Sequence, residues 1–300
     1  MTFSSETQDF TQILDFIRFG ISQAQAANLH YGHGTDNAVD DMYALVFDSL
    51  HLPWDVAQRF LQAQLTPGEK KLLAERLAQR IIQRVPVPYI TGIAHFCEMS
   101  FYVDERVLIP RSPLAELIRQ QFEPWIAADQ VTRILDLCTG SGCLAMACCE
   151  WFPHAQVDGA DISEQALAVA EINRERHQLQ DQLTLLESDC FDQIPSASYD
   201  VIISNPPYVA EAVMQTLPAE YLHEPKLALF AEQSGLAIVQ RILQQAGQYL
   251  SDHGILIVEV GESAEDLINL YPDVPFVWLE FEQGGDGVFL LTARNVRNHF

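Results

Sequence analysis

Lysine is almost missing from this chain. Among 300 residues only Lys70, Lys71 and Lys226 are lysines, and 17 basic residues face 41 acidic ones, for a formal charge of −24. A surface of that sign repels a phosphate backbone over most of its area, which argues against direct nucleic-acid readout. A basic protein would be attracted, gaining more in encounter rate than in affinity; simple solubility or salt adaptation would give the same charge. Cys-x-x-Cys pairs are missing too. The six cysteines, Cys97, Cys138, Cys143, Cys148, Cys149 and Cys190, fall mostly on predicted strand or helix, which speaks against zinc and disulfides and for buried reduced thiols. No run approaches the ~20 apolar residues needed to span a bilayer, so no membrane partner is expected. The opening Met1-Thr2-Phe3-Ser4-Ser5-Glu6 has neither the basic patch nor the apolar core of a signal peptide, so a cytoplasmic location is expected. Repeats and low-complexity segments are absent. A hydrophobic content of 48% is ample for a core, and the length suggests about two domains.

What is present falls into two styles of patterning. From residue 7 to about 84 the period is helical: Phe10, Ile13, Leu14, Phe16 and Ile17 recur on one face, and so do Leu72, Leu73, Leu77, Ile81 and Ile82 after Pro67-Gly68. Residues 1–90 therefore read as a small helical domain. Alternation over Phe96 to Val103 and Val107 to Ile109 predicts a β-hairpin, making 91–111 a link. In 112–300, from about Val131, strands and helices alternate, with helices expected near Gly142 to Trp151, Ser163 to His177 with Ser163 as N-cap, Ser234 to Leu250, and Ala264 to Leu270. Ile255 to Val260 reads as a buried strand; Phe276 to Phe281 and Val288 to Leu291 read as a hairpin around Gly284-Gly285. The expected class is α/β, doubly wound and mostly parallel, with an antiparallel final strand.

The chemistry concentrates at predicted strand ends. Val201-Ile202-Ile203-Ser204 delivers Asn205-Pro206-Pro207-Tyr208 to the edge of a buried sheet. An amide or amino nitrogen is a poor nucleophile whose lone pair is delocalised, and it needs acceptors that hold its hydrogens and aim it at an electrophile. The Asn205 side-chain oxygen and the Pro206 carbonyl can be those acceptors, two prolines preorganise the backbone, and Tyr208 offers a flat wall. A strand ending in a Pro-Pro turn is the plainer alternative. Upstream, Ile134-Leu135-Asp136-Leu137 runs into Cys138-Thr139-Gly140-Ser141-Gly142 and a helix, a strand, glycine loop and helix in sequence. Asp161 ends the next strand about twenty residues on, where a carboxylate can accept both hydroxyls of a ribose, and Asp189 beside Cys190 follows a third strand, where it could accept from an adenine amino group. Asp136 also reads as a structural strand-end carboxylate, and Asp189 as a helix cap. Gly140-x-Gly142-x-x-Ala145 with Asp161 fits a dinucleotide fingerprint as well, so a nicotinamide dehydrogenase competes; the second acid and the amide clamp have no evident use there.

Taken together, these motifs resemble the class I S-adenosylmethionine-dependent methyltransferases, and among them the N(5)-glutamine methyltransferases that modify proteins of translation. The resemblance spans nearly the whole chain, including Pro88-Tyr89-Ile90-Thr91-Gly92, Phe96 to Phe101 and Leu108-Ile109-Pro110-Arg111. One branch of that family acts on peptide-chain release factors and usually continues Pro-Arg with Pro-Asp-Thr-Glu. Here Pro110-Arg111-Ser112-Pro113-Leu114-Ala115-Glu116-Leu117 and Tyr221-Leu222-His223-Glu224-Pro225 resemble the branch that acts on the third protein of the large ribosomal subunit. The resemblance implies a seven-stranded sheet, S-adenosylmethionine as cofactor, no metal, a basic ribosomal protein as substrate, and a substrate-recognition role for residues 1–90. It further implies that Asn205, Pro206, Pro207 and Tyr208 hold the glutamine. Donor contacts would come from Asp136, Cys138, Thr139, Gly140, Ser141, Gly142, Asp161, Ile162, Asp189 and Cys190, together with Asn205. Phe101 and Pro110-Arg111 would border the donor pocket, or else pack a hinge with Arg111 paired to a carboxylate. DNA amino-methyltransferases use a similar tetrapeptide, which the acidic surface disfavours, and a non-catalytic scaffold of the same fold is the remaining alternative.

Overall fold

The computed structural model describes residues 3–300 apart from Val56, Ala197 and Gln283; Met1 and Thr2, which open the segment read above for a signal peptide, lie outside the described residues. The chain divides into two compact units, and neither is continuous in sequence.

The first unit holds residues 1–94, 103–105 and 218–223. Its helices are α1 (Ile13–Ala26), α2 (Ala38–Ser49), α3 (Pro67–Ile81) and α4 (Val87–Thr91). Local chemistry sets their starts. Asn37 caps α2 by accepting from Val39 N and Asp40 N, and Thr66 with Glu69 forms a reciprocal capping box at α3, with Pro67 in the first turn. Phe16, Ile17, Met42, Leu45, Phe47, Leu73 and Leu77 are fully buried in one cluster, each contributing roughly 1.5–3 kcal/mol. Leu14 and Ile82, expected on the same face, point outward, because each sits one helical step of 100° past a buried neighbour, Ile13 or Ile81.

The second unit holds residues 95–102, 106–217 and 224–300. It opens within β1 (Ala94–Phe96), whose first residue is counted with the first unit; β1 forms a two-stranded sheet with β2 (Met99–Phe101), and α5 (Leu114–Arg119) follows. Val107 to Ile109 forms no strand. Next come β3 (Arg133–Leu137), α6 (Cys143–Trp151), β4 (Gln156–Asp161), α7 (Glu164–Arg176), β5 (Leu183–Glu187), β6 (Tyr199–Ser204), α8 (Glu211–Met214), α9 (Lys226–Leu229), α10 (Ala237–Ala246), β7 (Leu250–Glu259), α11 (Ala264–Leu270), β8 (Val277–Trp278), β9 (Val288–Thr292) and α12 (Ala293–His299). Ser163 caps α7 as expected, accepting from Ala166 N at 3.2 Å. The helix expected to reach Leu250 stops at Ala246, and the strand expected from Ile255 already begins at Leu250.

One seven-stranded sheet runs in the order β5-β4-β3-β6-β7-β9-β8. The pairs from β5 to β7 are parallel; β9 runs antiparallel between β7 and β8, which is the ending the sequence predicts. Both faces are covered. Ile134, Val201, Ile203, Ile257 and Leu290 face one apolar cluster with α5 and α6, while Leu135, Ile202, Leu256, Val258 and Leu291 face another with α10 and α12. Burial on both faces explains why these strands read as unbroken apolar runs.

Candidate active site

Strand order reverses between β3 and β6, and in a doubly wound sheet the crevice beyond the carboxyl ends at that reversal is where ligands bind. Leu137 and Ser204 are register partners there, and Ser204 Oγ donates to the Leu137 carbonyl at 2.7 Å, closing the fork below the loops. The glycine loop leaves β3 through Cys138, at φ +61°, and Gly140, at φ +56°. No heavy atom stands within 4 Å of the point where a Gly140 side chain would begin, so the backbone there is open to close approach.

Asp136 organises that loop from beneath. Its Oδ2 accepts from Thr139 Oγ1 at 2.6 Å and from Ala145 N at 3.1 Å, tying β3 to the turn and to the first residues of α6. The side chain is fully buried, and Oδ1 has no hydrogen-bond partner among the described residues. Burial pushes this carboxyl up to about 7, against the Thr139 and Ala145 hydrogen bonds and with a contribution from the Asp161 charge. Asp161 closes the loop from the side: Oδ2 accepts from Gly140 N and Oδ1 from Ser163 N, each at 2.9 Å. Burial raises its pKa, and those two N–H groups counter the rise. Ile162 beside it is exposed.

Asp189 caps no helix in this structure. Its Oδ1 accepts from Arg241 of α10 at 2.7 Å. Cys190 is buried with φ +51°, its carbonyl accepting from Ser188 Oγ at 2.8 Å, and burial pushes its thiol up to about 11. Cys138 is likewise pushed up, chiefly by burial, so both thiols remain uncharged near neutral pH.

After β6, Pro206 is buried and Asn205, Pro207 and Tyr208 are partly exposed. Tyr208 is held at several points. Its hydroxyl donates to Glu259 Oε1 at 2.9 Å, its carbonyl accepts from Ser263 Oγ at 3.1 Å, and its ring lies over Gly261. A side chain at Gly261, which sits at φ +48°, would start 2.6 Å from that ring. The following residues bridge back in parallel to the end of α9: Val209 N donates to Leu229 O at 2.8 Å and Ala231 N to Val209 O at 3.1 Å. Arg111 pairs with a carboxylate, Glu224, through two contacts of 2.6 and 2.8 Å, and Ile109 N donates to the same carboxylate at 3.1 Å.

The sequence-predicted residues thus cluster at the carboxyl edge of β3, β4, β5 and β6. Sequence reasoning missed Glu259 and Ser112, whose hydroxyl donates to Glu259 Oε2 at 2.6 Å. An acid ending the apolar run Ile255 to Val258 was the available signal for Glu259. Asn173 was missed as well. It is fully buried on α7, accepts from Tyr102 N at 2.7 Å and donates to Tyr102 O and Ser141 O at 3.0 Å, reaching the glycine loop. Among the described residues no group of histidine, cysteine and carboxylate side chains could hold a metal ion, and no helix is long and apolar enough to cross a membrane.

A sheet of this order, ending in an inserted antiparallel strand and carrying a glycine loop and an Asn-Pro-Pro-Tyr turn on one edge, is the arrangement that the methyltransferase resemblance implies. Residues 120–230 match the family model described as methyltransferase small domain. The chain is 46% identical over 281 residues to the ribosomal protein uL3 glutamine methyltransferase of Francisella tularensis subsp. tularensis, covering 93% of this chain and 90% of that protein. It is 47% identical over 287 residues to the protein of the same name from Xanthomonas campestris pv. campestris, covering 96% and 93%. Among solved structures, the hMettl16 catalytic domain in complex with the MAT2A 3'UTR hairpin 6 aligns with a TM-score of 0.50 at 16% identity over 76% of this chain and 81% of that one, a likeness of fold. The chain belongs to the family of ribosomal protein uL3 glutamine methyltransferases.

Proposed function

We propose that this protein transfers a methyl group from S-adenosylmethionine to the side-chain amide nitrogen of a glutamine in ribosomal protein uL3. The observation that carries the reading is the position of Asn205-Pro206-Pro207-Tyr208 on the strand next to the glycine loop, at the sheet's reversal point. In this reading residues 1–90 recognise the protein substrate, 91–111 link, 112–300 catalyse, and the reaction takes place in the cytoplasm on a basic protein without nucleic-acid readout.

The residues at the loop fit an adenosyl donor with a cationic end. Asp136 presents a buried oxygen without a partner, and Gly140 leaves room for close approach. Asp136 with Cys138, Thr139, Gly140, Ser141 and Gly142 would hold the amino-acid end, Asp161 and Ile162 the ribose side, and Asp189 and Cys190 the adenine side. When bound, the donor supplies a methyl group on a sulfonium, an electrophile that needs neither metal nor covalent enzyme intermediate. The chain's own part is positioning. Asn205 Oδ1 and the Pro206 carbonyl accept the two amide hydrogens, orienting the nitrogen and limiting its conjugation. Pro207 and Tyr208 pack around the glutamine, and the proton leaves to solvent after transfer.

The test is incubation with labelled donor and, separately, uL3, a peptide-chain release factor and DNA, followed by mass mapping of the modified residue. Label on one glutamine of uL3 is the expected result. Preferential labelling of release factor or DNA would overturn the substrate.

A further inference from the structure

Glu259 ends β7, the strand beside β6, and is buried where an acid is costly unless its oxygens are used. Both are used, by different segments. Oε1 accepts the Tyr208 hydroxyl at 2.9 Å, and Oε2 accepts the Ser112 hydroxyl at 2.6 Å. Ser112 in turn accepts from Leu114 N at 3.2 Å, anchoring its own turn at the start of α5. The residue before it, Arg111, grips Glu224 on the far side of the loop that follows the tetrapeptide. One carboxyl at the strand end therefore ties the tetrapeptide to the segment that also holds the returning loop. Burial raises its pKa, while the two hydroxyls and the nearby Arg111 charge oppose the rise.

The rest of Tyr208 explains why such a tie matters. Its ring lies on the backbone of Gly261 and its carbonyl is held by Ser263, so the remaining freedom of the side chain is a swing about that stack, and the hydroxyl contact removes it. An amide clamp depends on placement, since a shift of about 1 Å in a positioned group can cost about 100-fold in rate.

We propose that Glu259 is a positioning residue of the methyl-transfer reaction: by holding the Tyr208 hydroxyl against the Ser112 turn, it fixes the wall on which the substrate glutamine is aligned. This rests on the amide-clamp reading of the tetrapeptide.

A double-mutant cycle tests it. Glu259→Ala and Tyr208→Phe should each lower kcat by about 10- to 100-fold, with donor Kd within about three-fold because neither touches the glycine loop. The double variant should be no slower than the worse single one, as expected of two groups acting through one contact. Glu259→Gln keeps shape and one acceptor, and should restore part of kcat; it takes the place of Glu259→Ala in the cycle if that variant does not fold. Unchanged kcat in the Glu259 variants, multiplicative effects in the double variant, or a donor Kd weakened in step with kcat would each overturn the proposal. Asn205→Ala, run alongside, separates the two readings: full turnover there refutes the clamp itself, whereas its loss together with a normal Glu259 variant refutes only the positioning role.

Discussion

Arg84 Nη1 and Glu220 Oε1 stand 3.0 Å apart although 136 residues of chain separate them. Glu220 is buried and also accepts from His30 N at 3.0 Å, with Arg80 Nη1 at 3.7 Å, while Arg84 extends its other donors to Ala27 O and Asn28 O. These contacts make residues 218–223, which follow the tetrapeptide in sequence, part of the helical unit. Burial works to raise the Glu220 pKa, but the His30 N–H, the Arg84 hydrogen bond and the Arg80 charge leave it below the ordinary carboxylate range.

A carboxyl depressed in the folded state contributes stability above its unfolded value of about 4.3, and that stability is lost as pH falls through the folded value. Glu220→Ala removes the acceptor of His30 N and of Arg84 while Arg80 keeps Asp41 at 2.7 Å, and should cost about 1–3 kcal/mol. Glu220→Gln should cost less and flatten the acid side of the stability profile. Denaturant unfolding between pH 3 and 7 measures both, and a wild-type acid limb in Glu220→Gln would remove the pair from this role.

Asp136 predicts the opposite slope. Its folded value near 7 lies above the unfolded one, so its contribution is complete below about pH 4 and disappears as pH rises through 7. Asp136→Asn should lack this decline between pH 5 and 8. A cation beside the carboxyl favours its ionised form, so donor binding to the wild type near pH 7 should release a proton. Calorimetric heats that vary with the ionisation enthalpy of the buffer would report it, and Asp136→Asn should lose that variation.

Asn205→Ala should abolish methylation and leave donor affinity within a few-fold, because it removes an acceptor for the reacting amide more than a contact to the donor. Single-turnover rates and calorimetric donor titration give the two numbers. Retained turnover would refute the clamp.

The sheet was legible because its evidence is local. Ile134 to Leu137, Val201 to Ser204 and Ile255 to Val260 are apolar runs whose burial on both faces needs no long-range knowledge to infer. The hairpin was placed wrongly for an equally local reason. β1 and β2 are joined by Cys97-Glu98 at φ +48° and +64°, a turn that asparagine and glycine normally announce, so the sequence shows no break there and the alternation points to Val107 to Ile109 as the partner strand. At the site, residues carried on loops between periodic strands could be named. Their supports could not, because Glu259 meets Ser112 across 147 residues and Asp189 meets Arg241 across 52, and no spacing rule connects such pairs.

Asn173 is the support with the sharpest separable consequence. Its side chain satisfies Tyr102 N, Tyr102 O and Ser141 O at once, so it joins the end of β2 to the glycine loop through a fully buried amide. Asn173→Ala strands those three backbone groups, each costing about 1–3 kcal/mol if no water replaces the amide. Asn173→Asp keeps the acceptor for Tyr102 N but sets a carboxylate against two carbonyls, and should be worse than alanine. Because Ser141 belongs to the loop and not to the tetrapeptide, the alanine variant should weaken donor binding by about ten-fold or more while kcat at saturating donor stays near wild type. Donor titration and steady-state kinetics on the same preparation decide the matter: a fall in kcat with unchanged donor affinity would mean that Asn173 supports the acceptor side instead.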